Sequence, residues 1–356
     1  MKKTMAGDFL IYDKSSNTYR ADPEQIVRDD VEKHYWLNVV RSILKDWRLY
    51  LMLVPMILVF LFWRYFPMYE LLASFKSTAN MQTPVSEREF IGFSAFTKII
   101  AGDMAPRFWR ALRNTFLLSF YGLCFGFPMP IILALFFNEI KSNFLRSIYQ
   151  VLTYLPKFVS TVIMTSIVTM LLKQGGLTFD DGILVKALHS LGVIGDEAVK
   201  TGMLRNPDFF RSIYQISGIW EGAGYDSIVY FAAIIAISPT SYEAAQIDGA
   251  GKMAQMRYVV IPSILSTLVI MLITRIGSLL QIGYEKVILL SHETTKSTAE
   301  VVSTMAYELG GMGGEGSGAS VPGIAMAAEM MNNVVGMLLV IGANTIAKKA
   351  SNVSLY

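Results

Sequence analysis

Six apolar blocks, each near the roughly 20 residues a helix needs to cross about 30 Å of hydrocarbon, constrain this chain more than anything else in it. They run near Tyr50 to Met68, Thr115 to Phe137, Ile148 to Leu172, Ile216 to Ile237, Val259 to Gln281 and Ala325 to Ile346. A bilayer interior offers no water to an unpaired amide, so a spanning segment must satisfy its own backbone. The blocks have the length and flanks of helices. The expectation is an all-α integral membrane protein with six transmembrane helices. Composition agrees, because 17% charged residues among 356 falls short of the roughly 25% typical of soluble domains.

Several function classes drop out. The net charge of +3 is small and the basic residues are scattered, so no nucleic-acid surface is indicated. Cys124 is the single cysteine, which excludes an internal disulfide and a cysteine-paired zinc. His34, His189 and His292 are far apart, so no metal site is expected. The N-terminal lysines precede polar residues rather than the apolar stretch of a secretory signal, and insertion must rely on the first span. No internal repeat is visible, which weakens an inverted-repeat secondary transporter, and no span carries a basic run that would suit a voltage sensor.

Basic residues next to spans set orientation. Arg41, Lys45 and Arg48, then Lys141 and Arg146, then Lys252 and Arg257, then Lys348 and Lys349 all fall on one side if there are six crossings. That side is the cytoplasm, with both termini inside. Trp36, Val39, Val40, Ile43, Leu44 and Trp47 recur at helical spacing, as in an amphipathic helix lying at the headgroups. The plain reading is an elbow that sets the angle of the first span; a regulatory role is the sharper one. Residues 1–30 are mixed-charge and polar, and loose order is expected there.

Between the fourth and fifth spans the chain reads PTSYEAAQIDGAGKMAQMRYVVIP, from Pro239 to Pro262. Tyr242 to Ile247 suit a short helix, Gly249 and Gly251 allow the chain to leave helical geometry, and Met253 to Tyr258 resume a helical pattern. A compact helix–turn–helix knob with few charges is what a docking element needs. Glu243-Ala244-Ala245, three residues, Gly249, nine residues, Val259, one residue, Ile261 and Pro262 resemble the EAA loop of binding-protein-dependent ABC importer permeases. Asp248 and Ala250 are similar to the version found in sugar permeases. Arg113-Asn114-Thr115, Tyr65-Phe66-Pro67-Met68-Tyr69, Gly283-Tyr284-Glu285-Lys286-Val287 and Ala343-Asn344-Thr345-Ile346-Ala347-Lys348 resemble its oligosaccharide and polysaccharide branch, although Glu70 stands where that branch tends to have glycine. The resemblance covers roughly residues 48–350.

It implies a type I importer permease in the bacterial plasma (inner) membrane. The partners implied are a second homologous permease, two ATP-binding cassette ATPase subunits and an extracytoplasmic solute-binding protein. ATP and Mg would be used by the ATPases, with no cofactor bound by this chain and no enzymatic activity in it. The helix at Glu243 would insert into a cleft on an ATPase, with Glu243 making a polar contact, Ala244 and Ala245 allowing close packing and Gly249 making the turn. Tyr242, Asp248, Ala250 and Pro262 complete that coupling set.

Two glycine strings are decoys. Gly249-Ala250-Gly251-Lys252 lacks the serine or threonine of a phosphate loop, since Met253 follows and Gln246 replaces the first glycine. Gly311, Gly313 and Gly316 have no strand before them, and a flexible outer loop is expected. Candidates for the transport path are polar or aromatic span residues, which are costly in lipid and face the bundle interior: Trp220, Tyr225, Asp226, Tyr230, Arg275, Gln281, Asn332 and Asn333. Trp220 suits an interfacial belt equally well, and Asn332 and Asn333 suit helix-to-helix hydrogen bonds. Arg275, facing inward, would suit an acidic sugar such as a uronic-acid oligomer. Pro55, Pro128, Pro130 and Pro156 fall within spans, where kinks fit moving helices.

The expected organisation is a 1–48 extension, a 49–110 first span with its outer loop, and a 111–350 core with five spans and the coupling loop 239–258. The function read from these features is ATP-driven import of an oligosaccharide or polysaccharide fragment by alternating access. An amino-acid or peptide importer is the runner-up, and an ion-coupled secondary transporter the reading from another class.

Overall fold

The computed structural model describes residues 10–13, 18–21, 39–40, 44–77, 84–175, 181–312 and 321–351. The chain divides into two units, Met1–Glu70 and Leu71–Tyr356. Within the first, strand β1 (Leu10–Asp13) pairs antiparallel with β2 (Thr18–Ala21), Tyr12 opposite Tyr19. This corrects the expectation of loose order for that stretch: isoleucine, tyrosine and threonine favour extended backbone. The expected helix over residues 36–47 includes Trp36 and Ile43, which lie outside the described residues, as do Gly313 and Gly316.

Beyond the hairpin and one isolated bridge, the described chain is helical. Three helices are long and apolar enough to cross a membrane unbroken: Trp47–Phe75, Ala105–Glu139 and Pro322–Thr345. Three further pairs of helices are apolar enough only when joined across a bend, so the total is six if each pair is one span. Asn143–Phe158 meets Thr161–Leu171 at 103°, Pro207–Ile235 meets Pro239–Ile247 at 69°, and Lys252–Ser263 meets Leu265–Gly277 at 63°. The third apolar block is therefore not one straight helix. Pro156 ends its first arm in a tight turn over Leu155–Phe158, and Ser160 caps the second arm by accepting the Ile163 N–H, as serine does at N-caps.

Prolines shape the helices through a repeated device. The π-turns Leu61–Tyr65, Gly122–Gly126 and Met256–Val260 are each followed by one residue and then Pro67, Pro128 or Pro262. In each, the residue before proline donates its N–H five residues back: Phe66 to Leu61, Phe127 to Gly122, Ile261 to Met256. A proline ring clashes with the carbonyl four residues earlier and brings no N–H; one extra residue in the turn relieves the clash. Pro128 lies inside a span that runs without a break from Ala105 to Glu139.

The second unit holds three apolar clusters. One joins the start of the Ala105–Glu139 helix to the last helix through Phe108, Ala111, Met305, Ala327 and Ala328. Another centres on Phe210, Ile213, Val287 and Val301. The third packs Ala134, Tyr230, Ile234, Val260 and Ile264. Polar clasps tie the first two together. Glu300, with its side chain 4% exposed, accepts from Arg107 and from Arg110, the latter at 2.8 Å. Asn114 donates to the Ser297 and Glu300 carbonyls at 3.0 Å and accepts from Arg211 at 3.1 Å. Lys296 bridges Glu293 and Glu308, and the Glu293 hydrogen bond holds its ammonium above the ordinary lysine range.

Removing one partner of a buried pair leaves an uncompensated charge, at about 3–5 kcal/mol. Arg107 and Arg110 keep some contact with solvent, so Glu300→Gln should cost nearer 2 kcal/mol. We expect a fall of about 4–8 °C in the melting temperature of the purified assembly; an unchanged melting curve would show that the clasp contributes nothing.

Candidate functional site

The Pro239–Ile247 helix begins with Pro239 at its first turn. Its end is a Schellman cap: the Gly249 N–H donates to the Gln246 carbonyl at 3.0 Å and the Ala250 N–H to the Ala245 carbonyl at 2.8 Å. That arrangement needs a left-handed residue at the turn, and Gly249 supplies it with φ +76°. Gly251, expected to help the turn, has φ −67° and ψ 169°, extended backbone that any residue adopts. Tyr242 packs inward against the Tyr230, Ile234 and Val260 cluster. Lys252 pairs with Glu139 at the end of the second span, and Gln255 donates to the Ala250 carbonyl at 2.8 Å. The loop is thus anchored on one side. Its other side presents Glu243, Ala244 and Asp248, with Ile247 86% exposed. Ala245 and Ala250 are half-buried and Pro262 is exposed beyond the π-turn.

The fifth span was expected to run to Gln281, but its helix stops at Gly277. Residues 278–280 form a turn, and residues 281–283 lack regular structure before the Tyr284–Leu290 helix begins. Irregular backbone at such depth is tolerated where protein satisfies it or where it lines a cavity. Both hold here. Ser119 donates to the Leu279 carbonyl, Asn332 to Leu280 at 3.0 Å and Ser303 to Ile282 at 2.7 Å.

Three cavities follow this segment. The first, about 180 Å³, is lined by Asp226, Tyr230, Arg275 and Ser278. The second, about 220 Å³, shares Arg275 and Ser278 and adds Tyr214, Gln215 and Gln281. The third, about 240 Å³, shares Gln281 and Gly283 and adds Glu329, Asn332 and Asn333. Arg275 lies against the π-turn: a β-carbon at Gly122 or Gly126 would come 3.9 Å from its guanidinium. Arg275 and Asp226 share a cavity without forming an ion pair, and Asn333 belongs to another. Tyr230 is buried, edge-on to Phe127 at 6.3 Å. Tyr225 sets its ring edge-on to Phe158 at 5.9 Å, and Trp220 is half-exposed; neither lines these cavities.

Glu221, a polar residue of the fourth span, and Lys286, in the Gly283–Val287 stretch, were visible singly in the sequence but not as partners. Glu221 and Lys286 pair at 2.9 Å, both largely buried, with Lys286 over the Tyr214 ring at 5.5 Å. Glu329 was missed outright, although a carboxylate inside an apolar block was signal enough.

Comparison with known proteins places this architecture. Residues 126–283 match the family described as the binding-protein-dependent transport system inner membrane component. Protein LplB of Bacillus subtilis (strain 168) is 35% identical over 321 residues, 90% of this chain and 94% of that protein. The chain belongs to this family. A second relative, the polygalacturonan/rhamnogalacturonan transport system permease protein YteP of the same organism, is 35% identical over 86% of this chain and 90% of its own length. Among solved structures, a chain of a bacterial ABC transporter involved in import of the acidic polysaccharide alginate superposes with TM-score 0.75 at 37% identity. It covers 88% of this chain and 99% of that one. A chain of a bacterial alginate ABC transporter in complex with an alginate pentasaccharide-bound periplasmic protein superposes with TM-score 0.74 at 37% identity, covering 88% of this chain and 99% of that one. As a membrane permease of that family, the chain carries the capped loop and most lining of the first two cavities within the family match, while Glu329, Asn332 and Asn333 lie beyond it.

Proposed function

We propose that this chain is the permease subunit of an ATP-driven importer that carries an oligosaccharide or polysaccharide fragment across the bacterial plasma membrane by alternating access. The observation that carries the reading is the capped Pro239–Ile247 helix, anchored by Tyr242 and Lys252 and presenting Glu243 and Ile247 outward. An ATPase cleft would take that face, and a second permease and a solute-binding protein complete the assembly. ATP and Mg act in the ATPase pair; this chain receives the work through the loop. Six crossings with both termini and the loop in the cytoplasm fit the basic flanks. The cargo half is supported by relatives whose names specify saccharides and by the polar cavities along residues 275–283.

The deciding experiment is uptake into proteoliposomes carrying the whole assembly, with a panel of neutral and acidic oligosaccharides. Uptake should require ATP and the binding protein. Transport that persists without ATP on an ion gradient would sink the coupling half, and uptake of peptides or amino acids in place of every saccharide would sink the cargo half.

Arg275 supports an acidic cargo, because no carboxylate neutralises it within ion-pair distance among the described residues and it borders two cavities. A hydrogen bond to a charged group contributes about 1.5–3 kcal/mol. Arg275→Gln should therefore weaken the half-saturating concentration for a uronate oligomer by about 10- to 100-fold and leave a neutral oligosaccharide of equal length unchanged. Equal losses for both would remove the charge-reading role.

A further inference from the structure

The third cavity differs in chemistry from the Arg275 end. Glu329, Asn332 and Asn333 occupy positions i, i+3 and i+4 of the last helix and so share one face; all three line the cavity with Gln281, Tyr284 and Ser303. Two of its donors are already spent. The Asn332 amide nitrogen donates to the Leu280 carbonyl and the Ser303 hydroxyl to the Ile282 carbonyl. The Asn332 Oδ1 is buried without a hydrogen-bond partner, and an unmet buried acceptor is expensive. Among the described residues no cation lies within ion-pair distance of Glu329. The lining includes one aromatic ring, Tyr284, which stacks on Tyr307 with centroids 4.7 Å apart and planes 19° from parallel.

A carboxylate with no cation partner among the described residues sits in this lining beside a stacked tyrosine. It suits hydroxyl donors on a ring whose apolar face lies on the aromatic, and it repels a carboxylate. We infer that this cavity is a subsite for a neutral, hydroxyl-presenting sugar ring, with Glu329 the residue that selects such a ring over a uronate. The inference rests on the saccharide-import reading and refines it: the path takes an acidic residue at Arg275 and a neutral one at Glu329, so the favoured cargo is mixed rather than uniformly acidic.

The test uses the assembled transporter in proteoliposomes, with the binding protein saturated by either of two probes so that its own preference drops out. One probe is a disaccharide of a uronic acid and a neutral sugar; the other is a di-uronate. Wild type should carry the mixed probe at least about tenfold more efficiently. Glu329→Gln, which keeps size and removes charge, should cut that ratio by about tenfold, whereas Glu329→Asp should retain most of it. A wild-type ratio at or below one overturns the inference whatever the variants do. So does a Glu329→Gln ratio equal to wild type. ATP-dependent uptake of neither probe would strike instead at the saccharide-import reading, which separates the two failures.

Discussion

Gly224→Ala is expected to reduce the permease in membranes to less than a tenth of the wild-type level. The Pro207–Ile235 helix crosses Asn143–Phe158 so closely that a β-carbon at 224 would lie 2.0 Å from the Thr153 carbonyl oxygen and 2.9 Å from the Thr153 β-carbon. Neither obstacle is the flexible end of a side chain. Relief requires the helices to part by more than an ångström, which would disturb the Tyr225–Phe158 contact beside them. Small residues let membrane helices meet backbone to backbone, and overpacking such a contact costs about 1–3 kcal/mol or more. The control is Gly222→Ala one turn-half away, where the nearest atom to a new β-carbon is Asp226 Oδ2 at 3.6 Å, ordinary contact. Both changes raise helix propensity alike, so a difference between them reads the crossing. Immunoblots of membranes and co-purification of the complex measure it; equal levels for the two variants would dismiss the close approach.

Nothing in the sequence marked Gly224 apart from its neighbours, and this illustrates what the chain made legible. Apolarity locates residues in the hydrocarbon but carries no direction, so the blocks emerged while the turns within them stayed hidden. The 103° break was half-visible, because Pro156 followed by Ser160 is a stop and a cap. The break at Ile264 had only half of that signal: Pro262 comes shortly before it, but no side chain caps the Leu265–Gly277 arm. The early end of the fifth helix depends on Ser119, Ser303 and Asn332 arriving from three other elements to take its freed carbonyls, which no local pattern encodes. Asn332 had been read as helix-to-helix glue or path lining; its nitrogen holds the loop at the Leu280 carbonyl, and the residue borders the third cavity. Glycine in the loop was legible only in part, since Gly249 meets a backbone demand and Gly251 does not.

That last distinction yields the second large effect. Gly249→Val should cut ATP-driven uptake at least about tenfold while the permease remains at its normal level in the membrane, whereas Gly251→Ala should transport like wild type. Both positions are open, with no atom within 4 Å of a new β-carbon, so steric space does not separate them. Conformation does. A β-branched residue at φ +76° is strained by about 1–3 kcal/mol, and each 1.4 kcal/mol is worth about tenfold. The strain is relieved by giving up the cap, which frees the Gln246 and Ala245 carbonyls and frays the helix that presents Glu243. The body of the protein is spared, because Tyr242 and the Lys252–Glu139 pair hold the loop's base independently of the cap. Uptake should therefore fail by slippage: ATPase subunits associate weakly, or hydrolyse ATP without moving cargo. Glu243→Lys should give the same phenotype with the cap intact, because it changes the presented charge rather than its presentation. Normal uptake and normal ATPase association in both variants would mean that the loop is not where ATP's work enters the permease.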